Sequence, residues 1–68
     1  MEQETFNLSI RKFLKMVGVR SQHEIEQAIE KAIAAGKIQG SEKLPATMTL
    51  RIAAVQLDVT FDGRIELQ

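Results

Sequence analysis

The sequence predicts an α+β protein in which two N-terminal helices pack on a small C-terminal antiparallel sheet, in the order ααβββ or ααββ. Three features predict it. Apolar residues recur at helical spacing through the first half of the chain. From Thr47 onward the spacing drops to strict alternation, the mark of half-buried strands. Between them the run from Gly18 to Ile25 carries the punctuation of a very short turn between helices.

The first helix is expected to start near Thr5, an N-cap residue with Glu4 beside it, and to run to Val17. Phe6, Ile10, Phe13, Leu14 and Val17 fall on one apolar stripe. Leu8, Arg11 and Lys15 fall on the opposite face, with Lys12 at its edge. Gly18 supplies a left-handed stop. Ser21 followed three residues later by Glu24 reads as a capping box, in which hydroxyl and carboxylate each satisfy an orphan backbone donor. A second helix then runs from Gln22 to about Ala35, with Gly36 as its stop. Its core face is Ile25, Ile29 and Ile33, flanked by Ala28, Ala32 and Ala35, small enough for a close neighbour. The helical hairpin thus spans 5–36.

Residues 37–46 read as a connection. Ile38 lies between Gly36 and Gly40 as a hydrophobic anchor, and Pro45 biases Leu44 towards an extended backbone. Residues 47–68 read as a β-meander or hairpin. Met48, Leu50 and Ile52 occupy even positions, whereas Val55, Leu57 and Val59 occupy odd ones. A slip of one residue turns an apolar set to the other face, so the chain must bulge or turn at Ala53-Ala54. A two-residue turn there would match Ile52 with Val55, Leu50 with Leu57 and Met48 with Val59. Alanine resists the positive φ that such turns demand, which favours a bulge or a looser bend. A further loop at Phe61-Asp62-Gly63, with glycine in its left-handed position, would pair Val59 with Ile65 and Leu57 with Leu67.

Sixty-eight residues are enough for one domain, taken as 1–68, with a thin core. That thinness leaves room for a homodimer through an exposed sheet edge. Apolar residues make up 44% of the chain and charged residues 26%, a balance that excludes an intrinsically disordered composition. There is no cysteine, hence no disulfide staple and no thiolate metal site. No apolar run is long enough to span a bilayer, so no membrane association is expected. The start, Met1-Glu2-Gln3-Glu4, lacks a basic-then-apolar leader, and a cytoplasmic location is expected. A net charge of zero argues against strong generic affinity for nucleic acid.

Candidate chemistry is sparse. His23 lies two residues after Ser21 with no carboxylate aimed at it by spacing, so no nucleophilic triad is indicated and an enzyme is not expected. His23, Glu26 and Glu30 share one helix face, a ligand set of the kind that holds zinc, iron or manganese. One helix supplies too few ligands, however, and no cofactor is expected. Arg11, Lys12, Lys15 and Arg20 put four cations within ten residues, around the end of the first helix. Cations there complement the helix dipole. Together with the exposed Leu8 they also make a binding surface for an acidic protein or for phosphates.

A helix-turn-helix or truncated winged-helix protein binding nucleic acid is the alternative. Against it, the second helix would bring Glu24, Glu26 and Glu30 towards phosphates and offers no arginine placed to read guanine.

The run Phe6-Asn7-Leu8-Ser9-Ile10-Arg11-Lys12-Phe13-Leu14-Lys15, the later Val17-Gly18-Val19 and Ser21-Gln22 with Glu24-Ile25-Glu26, and the segments Leu44-Pro45-Ala46 and Asp62-Gly63-Arg64-Ile65 resemble a family of short bacterial proteins of unknown function. The resemblance covers nearly the whole chain. It implies a small cytoplasmic domain and brings no catalytic residue or cofactor with it. The expected function is therefore a non-enzymatic module that binds an unidentified protein partner through Leu8, Arg11, Lys12, Lys15 and Arg20.

Overall fold

The computed structural model describes residues 1–68. The fold is α+β and falls into two units, Met1–Lys37 and Ile38–Gln68. The first unit is a single helix, α1, over Gln3–Ala34. The second is an antiparallel hairpin of β1, Lys43–Ile52, and β2, Leu57–Glu66, with a 3₁₀ turn at Ala53–Val55 between them.

The two-helix expectation is corrected: α1 runs unbroken through Gly18, Ser21 and Glu24. Gly18 is not in the left-handed region, which among the glycines only Gly36 and Gly40 occupy. The physical reason is magnitude. A glycine inside a helix costs only about 1 kcal/mol relative to alanine, and no proline enforces a stop. The capping box at Ser21 and Glu24 is therefore not formed, because the backbone donors it would serve are already bonded within the helix.

The N-cap lies at Glu2 instead of Thr5. The Glu2 carboxylate accepts from the Thr5 backbone N–H at 3.0 Å and lies 3.4 Å from its hydroxyl. A carboxylate at this end also faces the positive pole of the dipole.

The expected stop at Gly36 is present. Its φ is +74°, its N–H donates to Ile33 O at 3.0 Å, and the Lys37 N–H donates to Ala32 O at 2.9 Å. These are the two bonds of a Schellman motif, which satisfies carbonyls that the helix end would leave unpaired.

The hairpin has two strands, the ααββ alternative, joined by a looser bend at Ala53-Ala54, but its register differs from the expected pairings. Ile52 pairs with Leu57, Leu50 with Val59, Met48 with Phe61 and Leu44 with Ile65. The change of apolar parity is the signature of a turn rather than a bulge, and the loop has four residues, 53–56. Gln56 takes the left-handed conformation (φ 57°) and its N–H returns to Ala53 O at 3.1 Å. Alanine is spared the positive φ because the wider loop moves that requirement to Gln56.

There is no loop at Phe61-Asp62-Gly63. These residues run through β2 opposite Met48, Thr47 and Ala46, so the sheet has two strands and no third. Aspartate and glycine permit a turn but do not enforce one, and ten paired positions outweigh that local preference.

The connection is also shorter than expected, since β1 starts at Lys43 and contains Pro45. Beyond the strand ends, the Leu67 N–H donates to Glu42 O at 3.1 Å. Alternation along the ladder then places Pro45 at a non-hydrogen-bonded site, where its missing N–H is not needed.

This register sorts the hairpin completely. One face carries Leu44, Met48, Leu50, Ile52 and, from β2, Leu57, Val59, Phe61 and Ile65, with Ala46 opposite Gly63. The other carries only polar residues and Pro45. There Thr49 Oγ1 and Thr60 Oγ1 lie 3.3 Å apart, and Arg51 Nε meets Asp58 Oδ2 at 3.4 Å.

The expected core is the last correction. No residue in the chain is buried. Even on the apolar faces, Phe13 is 47% exposed and Phe61 59%.

The continuous helix makes a direct prediction about its two glycines. A Cβ at Gly18 meets nothing within 4 Å and the backbone is helical, so Gly18→Ala raises stability by about 1 kcal/mol. At Gly36 the space is equally open but φ is positive, so Gly36→Ala lowers stability by about 1 kcal/mol. Thermal unfolding followed by circular dichroism reads both. A fall in midpoint for Gly18→Ala would restore the helix stop.

Candidate interaction surface

On α1 each residue advances by about 100°, so positions three, four and seven apart share a side. Leu8, Arg11, Lys12 and Lys15 stand at such spacings, and all four are exposed, Leu8 at 57%. The helix therefore gathers four of the five expected residues into one ridge.

Arg20 does not join the middle of it. With no turn at Gly18, five residues of helix rotate Arg20 about 140° from Lys15. It reaches only the rim of a shallow groove that it lines with Lys12, Lys15, Met16 and Val19. Two further shallow depressions flank Leu8, one with Thr5, Ser9 and Lys12 and the other with Glu4, Asn7 and Arg11. None of the three is a cavity that would enclose a small substrate.

The cations of this ridge are unpaired. The one ion pair in the chain joins Arg51 to Asp58 in the hairpin, and no carboxylate comes within salt-bridge distance of Arg11, Lys12 or Lys15. The ridge is thus three free positive charges around an exposed leucine.

The acidic side of α1 lies further along. His23, Glu26 and Glu30 project from successive turns on one side of the helix, and Glu26 accepts from Gln22 Nε2 at 3.2 Å. No group of three His, Cys, Asp or Glu side chains in the chain comes together to hold a metal ion. The second half of α1 is also not a separate recognition helix, so the helix-turn-helix geometry is not formed.

The family-level evidence joins the geometry here. A family model matches residues 1–68, the full length of the chain. The chain belongs to DUF6494, a family of unknown function. No curated protein and no solved structure matches the chain. Membership in DUF6494 accords with the resemblance carried by the α1 and hairpin segments, and it assigns no ligand or reaction to the ridge. No helix of this DUF6494 chain is long and apolar enough to cross a membrane.

One group that the sequence did not single out has the most defined environment in the molecule. The Glu42 carboxylate accepts backbone N–H groups from Gln39 at 2.7 Å, Gly40 at 2.9 Å and Ser41 at 3.1 Å. Gly40, with φ +104°, helps the loop fold its N–H groups around one point. The bond from Gln39 and then that from Gly40 hold the Glu42 carboxyl below the ordinary glutamate range, against an opposing effect of desolvation. Only the sequence Gly-Ser-Glu just before a strand hinted at this, because the nest depends on backbone directions that a sequence does not display.

Glu42 closes its own nest and so holds the loop that leads into β1. A carboxyl depressed in the folded state contributes stability above its unfolded pKa and loses it as pH falls through the folded value. The amide protons of Gln39, Gly40 and Ser41 should therefore titrate together in NMR spectra, with a midpoint below that of an unperturbed glutamate. In Glu42→Gln that acid transition should vanish while the rest of the hairpin keeps its signals.

Proposed function

We propose that this chain is a non-enzymatic, cytoplasmic protein-interaction module that binds an acidic protein surface through Leu8, Arg11, Lys12 and Lys15 of α1, with Arg20 at the rim. The observation that carries the reading is the ridge itself: three cations without carboxylate partners around an apolar side chain, in a chain of zero net charge. Free cations around an exposed apolar residue match the usual layout of a protein interface, an apolar anchor within a polar rim. The charges would speed and orient the encounter, and Leu8 would supply the contact excluded from water. The shallow relief of this side suits a protein surface better than a small molecule.

Nucleic acid is the second reading, favoured only by the same three cations. Further along α1, Glu24, Glu26 and Glu30 weigh against a phosphate backbone lying along the helix.

The test is charge reversal. A tagged chain purified from its native host should carry a protein that is lost when Arg11, Lys12 and Lys15 are all changed to Glu, with helicity by circular dichroism unchanged. Exposed ion pairs contribute about 0.2–1 kcal/mol each, so loss of three should weaken binding by about threefold to about 150-fold. An unchanged set of bound proteins refutes the assignment. Retention that is abolished by nuclease and falls steeply with salt replaces the protein partner with nucleic acid.

A further inference from the structure

Opposite the basic ridge, α1 carries a second side that is mostly apolar. Ile10, Leu14, Val17, Ser21, Ile25, Ala28 and Ala32 follow one another at intervals of 4, 3, 4, 4, 3 and 4 residues. All lie within an arc of about 80° around the helix. Ile10, Ser21 and Ala32 stand eleven residues apart, a repeat that drifts by only about 20° each time and keeps facing one neighbour through a slight right-handed supercoil. The seam is open: Leu14 is 55% exposed, Ile10 41% and Ile25 38%.

Three properties of this seam name its occupant. Its spacing is the same read in either direction from Ser21, as a twofold axis crossing the helix there requires. Its bulk is complementary about the same point. A twofold at Ser21 sets Ile10 against Ala32 and Leu14 against Ala28, large against small, with Val17 against Ile25 nearer the axis. Its charge is complementary too. Arg20 of the first half and Glu24 of the second stand on the same flank of the seam, whereas Arg11, Lys12 and Lys15 belong to the ridge. Antiparallel pairing lays each half on its opposite and brings Arg20 of one chain to the flank of the seam near Glu24 of the other.

We infer that α1 pairs antiparallel with α1 of a second copy of this chain, along a seam centred on Ser21. This dimer is separate from the basic ridge, whose central residues lie on the far side of the helix. Loss of either interface is therefore seen without the other: the charge reversals are read by the bound partner, and the dimer by mass and cross-linking.

Because the chain has no cysteine, single cysteines report the pairing directly. Light scattering of the folded protein should give twice 7.6 kDa. Under oxidation, Ser21→Cys should form a disulfide-linked dimer. Ile10→Cys alone should not, but mixed with Ala32→Cys it should yield the mixed dimer, since only antiparallel pairing brings those positions within disulfide reach. A folded chain of monomer mass overturns the inference. So does a dimer in which Ile10→Cys links to itself and not to Ala32→Cys, which is parallel pairing. A dimer in which none of these positions links places the interface elsewhere and overturns it equally.

Discussion

Neither unit of this chain can cover its own apolar side, and that constraint governs the rest. A lone helix has no second layer, and a two-stranded hairpin has one face too many. In the hairpin the apolar residues are nonetheless sorted to one side. The ladder from Lys43↔Glu66 to Ile52↔Leu57 alternates polar and apolar pairs at nearly every step. Sorting of that quality is the pattern of a surface meant to be covered. In a structure with no buried residue it directs attention to association as the source of stability.

The continuity of α1 decides what its charges can do. A break at Gly18 would have grouped Arg20 with the end of a short helix and turned the acidic residues into the face of a separate one. As one helix, the same residues become two ends of a single rod, basic in the first half and acidic in the second. The dipole reading of the cations lapses with the break, because Arg11, Lys12 and Lys15 now lie in the interior of the helix, away from its negative end. What remains is a ridge whose charges are free for a partner, back to back with a seam that fits its own copy.

Legibility differed from residue to residue for identifiable reasons. The Gly36 stop was readable because glycine there coincides with the end of the apolar period, and both signals agree. Gly18 misled because it carries the same local signal where the apolar side continues past it, from Leu14 and Val17 to Ile25. The parity change at Ala53-Ala54 was visible, and the choice between bulge and turn was not, since both restore the apolar face. The Asp62-Gly63 pair suggested a turn by composition alone. The ridge at Leu8, Arg11, Lys12 and Lys15 was legible because helical spacing is enough to gather it. The Glu42 nest was not, because its three donors are backbone groups.

By itself the sequence determined the α+β class, the helical and extended halves, the Gly36 end of α1 and the clustering of cations on one helix side. Each of these follows from local periodicity or from the steric freedom of one residue. Only the tertiary structure decided that the helix is one, that the strands are two, that Gln56 rather than alanine takes the left-handed turn, and that Arg20 leaves the ridge. Those outcomes rest on sums over many backbone hydrogen bonds. Ten paired strand positions, or an unbroken helical ladder, outweigh a single turn-prone residue that costs about 1 kcal/mol.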